Sequence, residues 1–501
     1  MTPPDAPLLD RRSFLTLAGA GIGTAVLAAC APSGPGTSPT TAPSPSPAST
    51  RPAGAGGTLR VPALLTGAPG PDGPVFDLAA QVGRTELVPG TSTETWGFDG
   101  PVLGPTLRVS RGDRVRMRIR NDLAETTTVH WHGMHLPAAA DGGPHQPIEP
   151  GETWDVSWQV DQPAATLWYH PHPHGATERH VYRGLTGLLI VDDEDEAALG
   201  LPREYGVDDI PLIVQDKELD DTGALVETER RGPGMLGSTV LVNGVADASL
   251  ELAARSTRLR ILNGSTARSY AFGLSDGRPV DLVASDGGLL PEPVRTPRVQ
   301  LTPGERAEIV VHVEPGESLV LRSFPQDLGD VAGTTGGEDE LDVLALSAPA
   351  GLPASAPVPS RLVEVPRYDL AEAVRTRRFE MRTDRINEQP MDMSRIDEVV
   401  TVDELEVWEV LNTTRTPHNF HVHDVQFQVA DLGGEQPPPH LAGWKDTVYL
   451  PPGVPVRLAL RFTEHTDPDL PYMYHCHLLW HEDIGMMGQF VVVGPEERVG
   501  S

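Results

Sequence analysis

Cys476 stands between His475 and His477 in the stretch HCHLLWHEDIGMM, with His481 five residues on and Met486 five beyond that. Thiolate is a soft ligand, imidazole a borderline one and thioether a weak axial one, so two His, one Cys and one Met form the set that holds a redox-active copper. The stretch supplies all of that set except one histidine. A lone cysteine is more often a buried apolar side chain, and here the other histidines decide against that.

Of the 17 histidines, eight fall in four His-x-His pairs: His130/His132 in HWHG, His170/His172 in YHPHPHG, His421/His423 in HNFHVH, and His475/His477. On a strand, residues i and i+2 share a face and i+1 takes the other, so each pair presents two imidazoles side by side. His475 and His477 therefore face away from Cys476. One short strand can serve two metal sites joined by adjacent covalent bonds.

The elements that must position these pairs appear as an internal repeat. Three alternating apolar segments end in Asn: RVRMRIRN at Asn121, TRLRILN at Asn263 and LEVWEVLN at Asn412. Each is followed by a Pro-Gly turn, Pro150-Gly151, Pro303-Gly304 or Pro452-Gly453, that opens another alternating strand. Three copies of one β-domain are the simplest reading. His130 and His132 lie nine and eleven residues after Asn121, and His421 and His423 keep the same offsets from Asn412. In the middle copy those offsets fall on Phe272 and Leu274, so that domain is structural. The later pairs follow the Pro-Gly turns, with Pro171 between the histidines in the first copy and Cys476 in the third. Only the third domain can build the thiolate site. Eight imidazoles divided between the first and third domains are most economically satisfied by one shared metal cluster.

Composition agrees with an all-β chain of several domains: 501 residues, 39% hydrophobic, with Gly 51 and Pro 50 favouring turns and short strands. A formal net charge of −31 excludes nucleic acid as a partner, because an acidic surface repels the phosphate backbone. The N-terminus reads as an address. Arg11-Arg12-Ser13-Phe14-Leu15 precedes an apolar run to Ala29, the pattern of a twin-arginine signal, and Leu27-Ala28-Ala29-Cys30 resembles a lipoprotein lipobox. The Pro/Ser/Thr-rich residues after Cys30 read as a flexible tether. If Cys30 is lipidated, Cys476 is the only thiol of the folded body and has no disulfide partner. The expected organisation is a signal peptide over 1–30, a linker over 31–57, and domains over 58–195, 196–350 and 351–501. The expected location is extracytoplasmic, lipid-anchored to the outer face of the cytoplasmic membrane.

With these motifs assembled, the chain from about residue 58 to 494 resembles the three-domain bacterial multicopper oxidases of the laccase and cuprous-oxidase group. The resemblance implies three Greek-key cupredoxin-like β-sandwich domains in tandem and four copper ions. It implies a type 1 copper held by His418, Cys476 and His481 with Met486 axial. A type 2 copper would take His130 and His421, and a type 3 pair His132, His170, His172, His423, His475 and His477. His135, His145, His174, His180, His312, His440 and His465 are left over as surface residues or residues behind the ligands. The implied activity is four one-electron oxidations of a small reducing substrate coupled to four-electron reduction of O2 to water, by a chain expected to be monomeric. Asp141 in ADGGP and Glu482 beside His481 stand where the family places its proton relays. Asp141 also reads as a turn residue before Gly142-Gly143.

The substrate is open at this level. A cuprous oxidase that protects the cell envelope in copper tolerance often carries a methionine-rich insertion over the type 1 site, because thioethers select Cu(I). The connector from Ala348 to Arg378 contains no Met, so a laccase-like phenolic or aromatic substrate is the leading expectation. The acidic run Gly337 to Asp342 reads as a solvated loop. A copper-free relative that serves as a scaffold in cell division would be expected to have lost ligands, and none of the twelve is missing here.

Overall fold

The computed structural model describes residues 57–227 and 232–497. The twin-arginine segment, Cys30 and the linker as far as residue 56 lie outside the described residues. Those described belong to one compact body.

The regular secondary structure is almost entirely strand, arranged among the described residues as three pairs of sheets, the first, second and third units in chain order, each pair enclosing an apolar core. In the first pair the strand Arg114–Asn121 alternates strictly, with Val115, Met117 and Ile119 buried and its arginines facing water. That period of two makes a half-buried strand, because its apolar face packs against Leu107, Val109 and Leu189 of the opposite sheet. The third pair repeats the plan with Trp408 and Val410 packed against Phe420, Val422 and Phe490.

The repeated asparagine is a brace. Asn121, Asn263 and Asn412 each end their strand, and each is buried. The Asn121 amide donates to the carbonyls of Glu125 and Ile148 and accepts from the Leu123 N–H. Asn263 does the same with Arg268, Leu301 and Ser265, and Asn412 with Thr416, Leu450 and Thr414. The Gly of each Pro-Gly turn donates its N–H to that same asparagine's carbonyl. Gly151, Gly304 and Gly453 hold φ of 83°, 85° and 74°, which explains why glycine ends each turn. The brace fixes where the next strand starts: His130–His132, Tyr270–Leu274 or His418–Val422.

The second unit departs from half-burial. Every residue of Ser256–Asn263 is buried, including Arg258 and Arg260. Their guanidinium groups are satisfied by Glu308, Glu196 and Asp209, so the strand reads as alternating yet has no wet face. The connector after Ala348 also lies differently from expectation. Leu352 and Leu362 enter the second unit's core, and Tyr368 donates its N–H to the Gln428 side chain.

Candidate metal centre

In the first unit the strand pairing sets His130 opposite His170, and in the third it sets His421 opposite His475. All eight paired histidines are buried, so each imidazole must find a partner other than water. Three groups of ligand atoms gather: His130, His132 and His421; His132, His170 and His477; His172, His423 and His475. A fourth group, His418, Cys476 and His481, gathers separately; the strand expected through HCH ends at His475, so Cys476 and His477 lie in the turn that leads into the short helix Leu479–Asp483. The structure thus brings together the full histidine and cysteine set named from the sequence. Met486 is buried in the same core and is tied in through its backbone, donating N–H to His481 O and accepting from Cys476 N–H.

The outer nitrogen of most rings is held by the protein, which is how a ligating imidazole is oriented. His130 Nδ1 donates to Asp141 O at 2.9 Å, His170 Nδ1 to Pro171 O at 2.9 Å, His421 Nδ1 to Asp446 O at 2.9 Å and His475 Nδ1 to Cys476 O at 3.1 Å. His423 Nδ1 donates to Asp141 Oδ2 at 2.8 Å. The inner nitrogens face one another: His172 Nε2 and His423 Nε2 lie 3.1 and 3.2 Å from His475 Nε2, and His130 Nε2 lies 3.5 Å from His421 Nε2. At the thiol, His418 Nδ1 and His481 Nδ1 stand 3.5 and 3.7 Å from Cys476 Sγ, while their Nε2 atoms are held by Thr414 Oγ1 and Gly232 O.

The donor set fits a metal. Burial and then mutual repulsion hold His132, His170, His421, His423 and His477 well below the ordinary histidine range, and burial takes His172 and His481 down to about 4. They are neutral lone-pair donors at neutral pH. Buried ring nitrogens of His132, His170, His172 and His477 have no hydrogen-bond partner, and an orphaned polar atom in a dry site is costly. Burial pushes the Cys476 thiol up to about 12, against the amides of Asn419 and Leu478, so a bound cation would be needed to make it a thiolate near neutral pH.

The two acids differ in how they are held. Glu482 is buried between His172 Nδ1 at 3.4 Å and His475 Nδ1 at 3.1 Å. Asp141 caps a short 3-10 turn, Ala138–Ala140, and its Oδ2 meets His423. The next residue, Gly142, sits at φ 77°, where a Cβ would lie 1.7 Å from Val129 O. Asp141 is therefore both the turn residue and an imidazole partner.

Sequence reasoning missed several residues at this site. Asn419 donates to Thr302 Oγ1 and Pro303 O of the second unit and accepts the His477 N–H at 2.6 Å, pinning the HCH segment from behind. Asp446 and Thr447 each lie 3.0 Å from His132 Nε2. The adjacent charged pair Lys445-Asp446 between the apolar ends of GWKDTVYL was the available signal for Asp446. Among the leftover histidines, His135 Nδ1 donates to Asp424 Oδ1 at 2.8 Å, and its ring lies 4.7 Å from that of His465. His180 is fully buried between Thr127 and Glu125, neither a surface residue nor one set behind a ligand. The segment against the Met486 loop is not the connector 348–378: Met391 donates its N–H to Gly485 O at 3.0 Å.

Comparison with known proteins agrees with this geometry. Two family models described as multicopper oxidase match residues 80–196 and 364–496. A protein named multicopper oxidase mco from Staphylococcus haemolyticus is 35% identical over 83% of this chain and 88% of its own length. A protein named cell division protein FtsP from Xenorhabdus nematophila is 37% identical over 78% of this chain and 83% of its own. The crystal structure of a laccase from Pediococcus acidilactici superposes with a TM-score of 0.80 at 35% identity, covering 87% of this chain and 93% of that one.

Proposed function

The chain belongs to the multicopper oxidase family, and from that premise we propose that it is a laccase-like enzyme coupling one-electron oxidation of phenolic or aromatic reductants to reduction of O2 to water. The observation that carries this reading is the unbroken set of buried donors, eight paired histidines in one set of groups and His418, Cys476 and His481 in another. His418, Cys476, His481 and Met486 would hold one copper, His130 and His421 a second, and His132, His170, His172, His423, His475 and His477 a pair. Copper bound there supplies single-electron oxidation at the thiolate site and four-electron O2 reduction at the histidine cluster.

The chain's own residues do the rest. Cys476 shares peptide bonds with His475 and His477, so the two centres are joined by the shortest covalent path the backbone allows. Asn419 keeps that path straight by holding the His477 N–H. Reducing O2 to two waters consumes four protons. Glu482, between two imidazoles of the cluster, is placed to deliver protons, and Asp141 is placed to do so from the His130 and His423 side. Burial of both acids keeps bulk water from competing with them.

Export through a twin-arginine signal, and a lipid anchor at Cys30 that leaves a monomeric enzyme outside the cell, are part of the same proposal and rest on the sequence. Cys30→Ala should release the protein from the membrane fraction; a wild-type protein already soluble after export would reject the anchor.

A second reading, oxidation of Cu(I) in copper tolerance, is favoured by Met391 and Met393, which lie in the segment packed on Gly485 beside Met486. The similarity to proteins named for cell division raises a scaffold as a remote alternative, and the complete donor set argues against it. Steady-state rates with a phenol, a bilirubin-like tetrapyrrole and Cu(I) under one set of conditions separate the readings. The phenol should give the highest kcat/KM; a clear preference for Cu(I) replaces the first reading with the second, and no oxidation of any of them rejects both.

A further inference from the structure

Among its described residues the second unit contributes no member of the ligand groups named above, yet it reaches the cluster through buried charge. Arg306 is fully buried and lies on the strand Arg306–His312. Its Nη1 and Nη2 donate to Asp446 Oδ1 and Oδ2 at 2.8 and 2.6 Å, and its Nε donates to Thr166 O in the first unit at 3.0 Å. The Arg306 N–H donates to Asp286 Oδ1, and Asp286 in turn pairs with Lys445 at 2.9 Å. One side chain of the second unit is thereby fixed to the first and third units at once.

The end of that chain of contacts is His132. Its Nε2 faces a carboxylate oxygen, Asp446 Oδ1, and a hydroxyl, Thr447 Oγ1, both at 3.0 Å. Thr447 itself lies within hydrogen-bond reach of Asp446 Oδ1 at 2.9 Å. A carboxylate only accepts, so His132 Nε2 must carry the hydrogen, and in the neutral imidazole the lone pair then sits on Nδ1. That Nδ1 is buried without a partner. Six of the other seven cluster histidines present Nε2 inward, either because Nδ1 is tied outward or, for His172, because Nε2 faces His475. His132 is turned over relative to them.

We propose that Arg306 and Asp446 form a positioning pair through which the ligand-free second unit sets the tautomer and ring orientation of His132. This rests on the reading of the cluster as a metal centre. The guanidinium fork occupies both oxygens of Asp446 and so fixes which way its Oδ1 points. A lysine would keep the charge but, as a point charge on a flexible stem, could not span both oxygens. Without the fork the carboxylate can rotate away from His132, and the ring loses its reason to hold hydrogen on Nε2.

The test is 15N NMR of histidine-labelled protein without metal, read beside copper titration. The wild-type chain should show His132 as the Nε2–H tautomer. Arg306→Lys should shift the tautomer ratio by about tenfold and weaken copper binding at the cluster by about 10- to 100-fold, the usual cost of losing a ligand's outer partner. The blue colour of the thiolate site should be unchanged. A wild-type His132 in the Nδ1–H form overturns the proposal whether or not any variant folds, and so does Arg306→Lys keeping both tautomer and copper affinity. If the cluster takes up no copper but the tautomer still shifts in Arg306→Lys, the positioning pair stands and the metal reading falls.

Discussion

The second and third units share the asparagine brace, the Pro-Gly turn and the strand that follows, but they use that strand in opposite ways. In the third unit the positions nine and eleven residues past Asn412 are His421 and His423, turned into a polar cluster shared with the first unit. In the second unit they are Phe272 and Leu274, both fully buried in its core. The second unit spends its polar side chains elsewhere, in buried pairs such as Arg260 with Asp209 and Glu308, and Arg306 with Asp446. Removing one member of a buried pair costs far more than the pair contributes. The comparison teaches that the repeat specifies a scaffold, while chemistry depends on which two side chains stand just past the brace.

The sharpest division between the units is the thiol. Cys476→Ser should remove the blue colour and lower oxygen consumption with a phenolic reductant by more than about 10³-fold, or about 4 kcal/mol of barrier. The copper held by the eight paired histidines should survive, as metal analysis would show. A variant that stays blue breaks the assignment of this group to the third unit.

Next in size are the acids that only the copper-bearing units bring to the cluster. Glu482→Gln and Asp141→Asn keep shape but remove the carboxylate that would take up and pass on a proton. Each should slow oxygen consumption by about 10²-fold, a typical general-acid contribution. Anaerobic bleaching of the blue band by reductant should keep its rate. Equal slowing of both would mean that the residue acts on substrate binding or folding.

The brace itself tests whether scaffold and chemistry separate. Asn263→Ala and Asn412→Ala should each destabilise the protein by about 2 kcal/mol, because buried carbonyls and an N–H lose their partners. Denaturant unfolding measures that loss. Copper content should fall only in Asn412→Ala; an equal fall in both would mean that the second unit's brace reaches the cluster too.

The smallest effect separates contacts by their response to pH. The ring of His135, in the first unit, is raised to about 9: burial opposes the shift, but the carboxylate of Asp424 in the third unit outweighs it. A raised histidine stabilises the fold fully below its unfolded value of 6.5, and that contribution is lost as pH rises through 9. Glu308 of the second unit is depressed to about 2; burial opposes this too, and Arg258 and Arg260 outweigh it. Its contribution is present above 4.5 and is lost only as pH falls through 2. Between pH 6.5 and 9 the wild type should therefore lose stability on the order of 1 kcal/mol, allowing for the partly exposed ring. His135→Gln should show a flatter profile over that range, and identical profiles would remove His135 as the source.

Much of this was legible because it is local. Alternation with a period of two separated Cys476 from His475 and His477 without reference to any other part of the chain, although the strand Asp467–His475 ends before the cysteine. The equal offsets from Asn121 and Asn412 marked matching ligand strands, and the apolar residues at those offsets from Asn263 marked the unit without them. The connector was misjudged for the complementary reason. Its lack of methionine bore on the substrate only if it lay over the Met486 loop, whereas Leu352 and Leu362 carry it into the second unit's core and residues 384–391 approach Gly485 instead.

The sequence by itself determined which side chains are donors and, for those inside strands such as His130, His132 and His421, which face each one takes, because those follow from residue type and from the two-residue repeat of an extended backbone. Only the tertiary structure decided which ring nitrogen His132 and His423 turn inward, whereas His170 and His475 bond the carbonyl of the next residue in the chain. That choice is made by partners far away in the chain, 314 residues for His132 with Asp446 and 282 for His423 with Asp141. No periodicity encodes a contact of that range. It exists only once three packed cores have fixed the distance and direction between one element's imidazole and another's carboxylate.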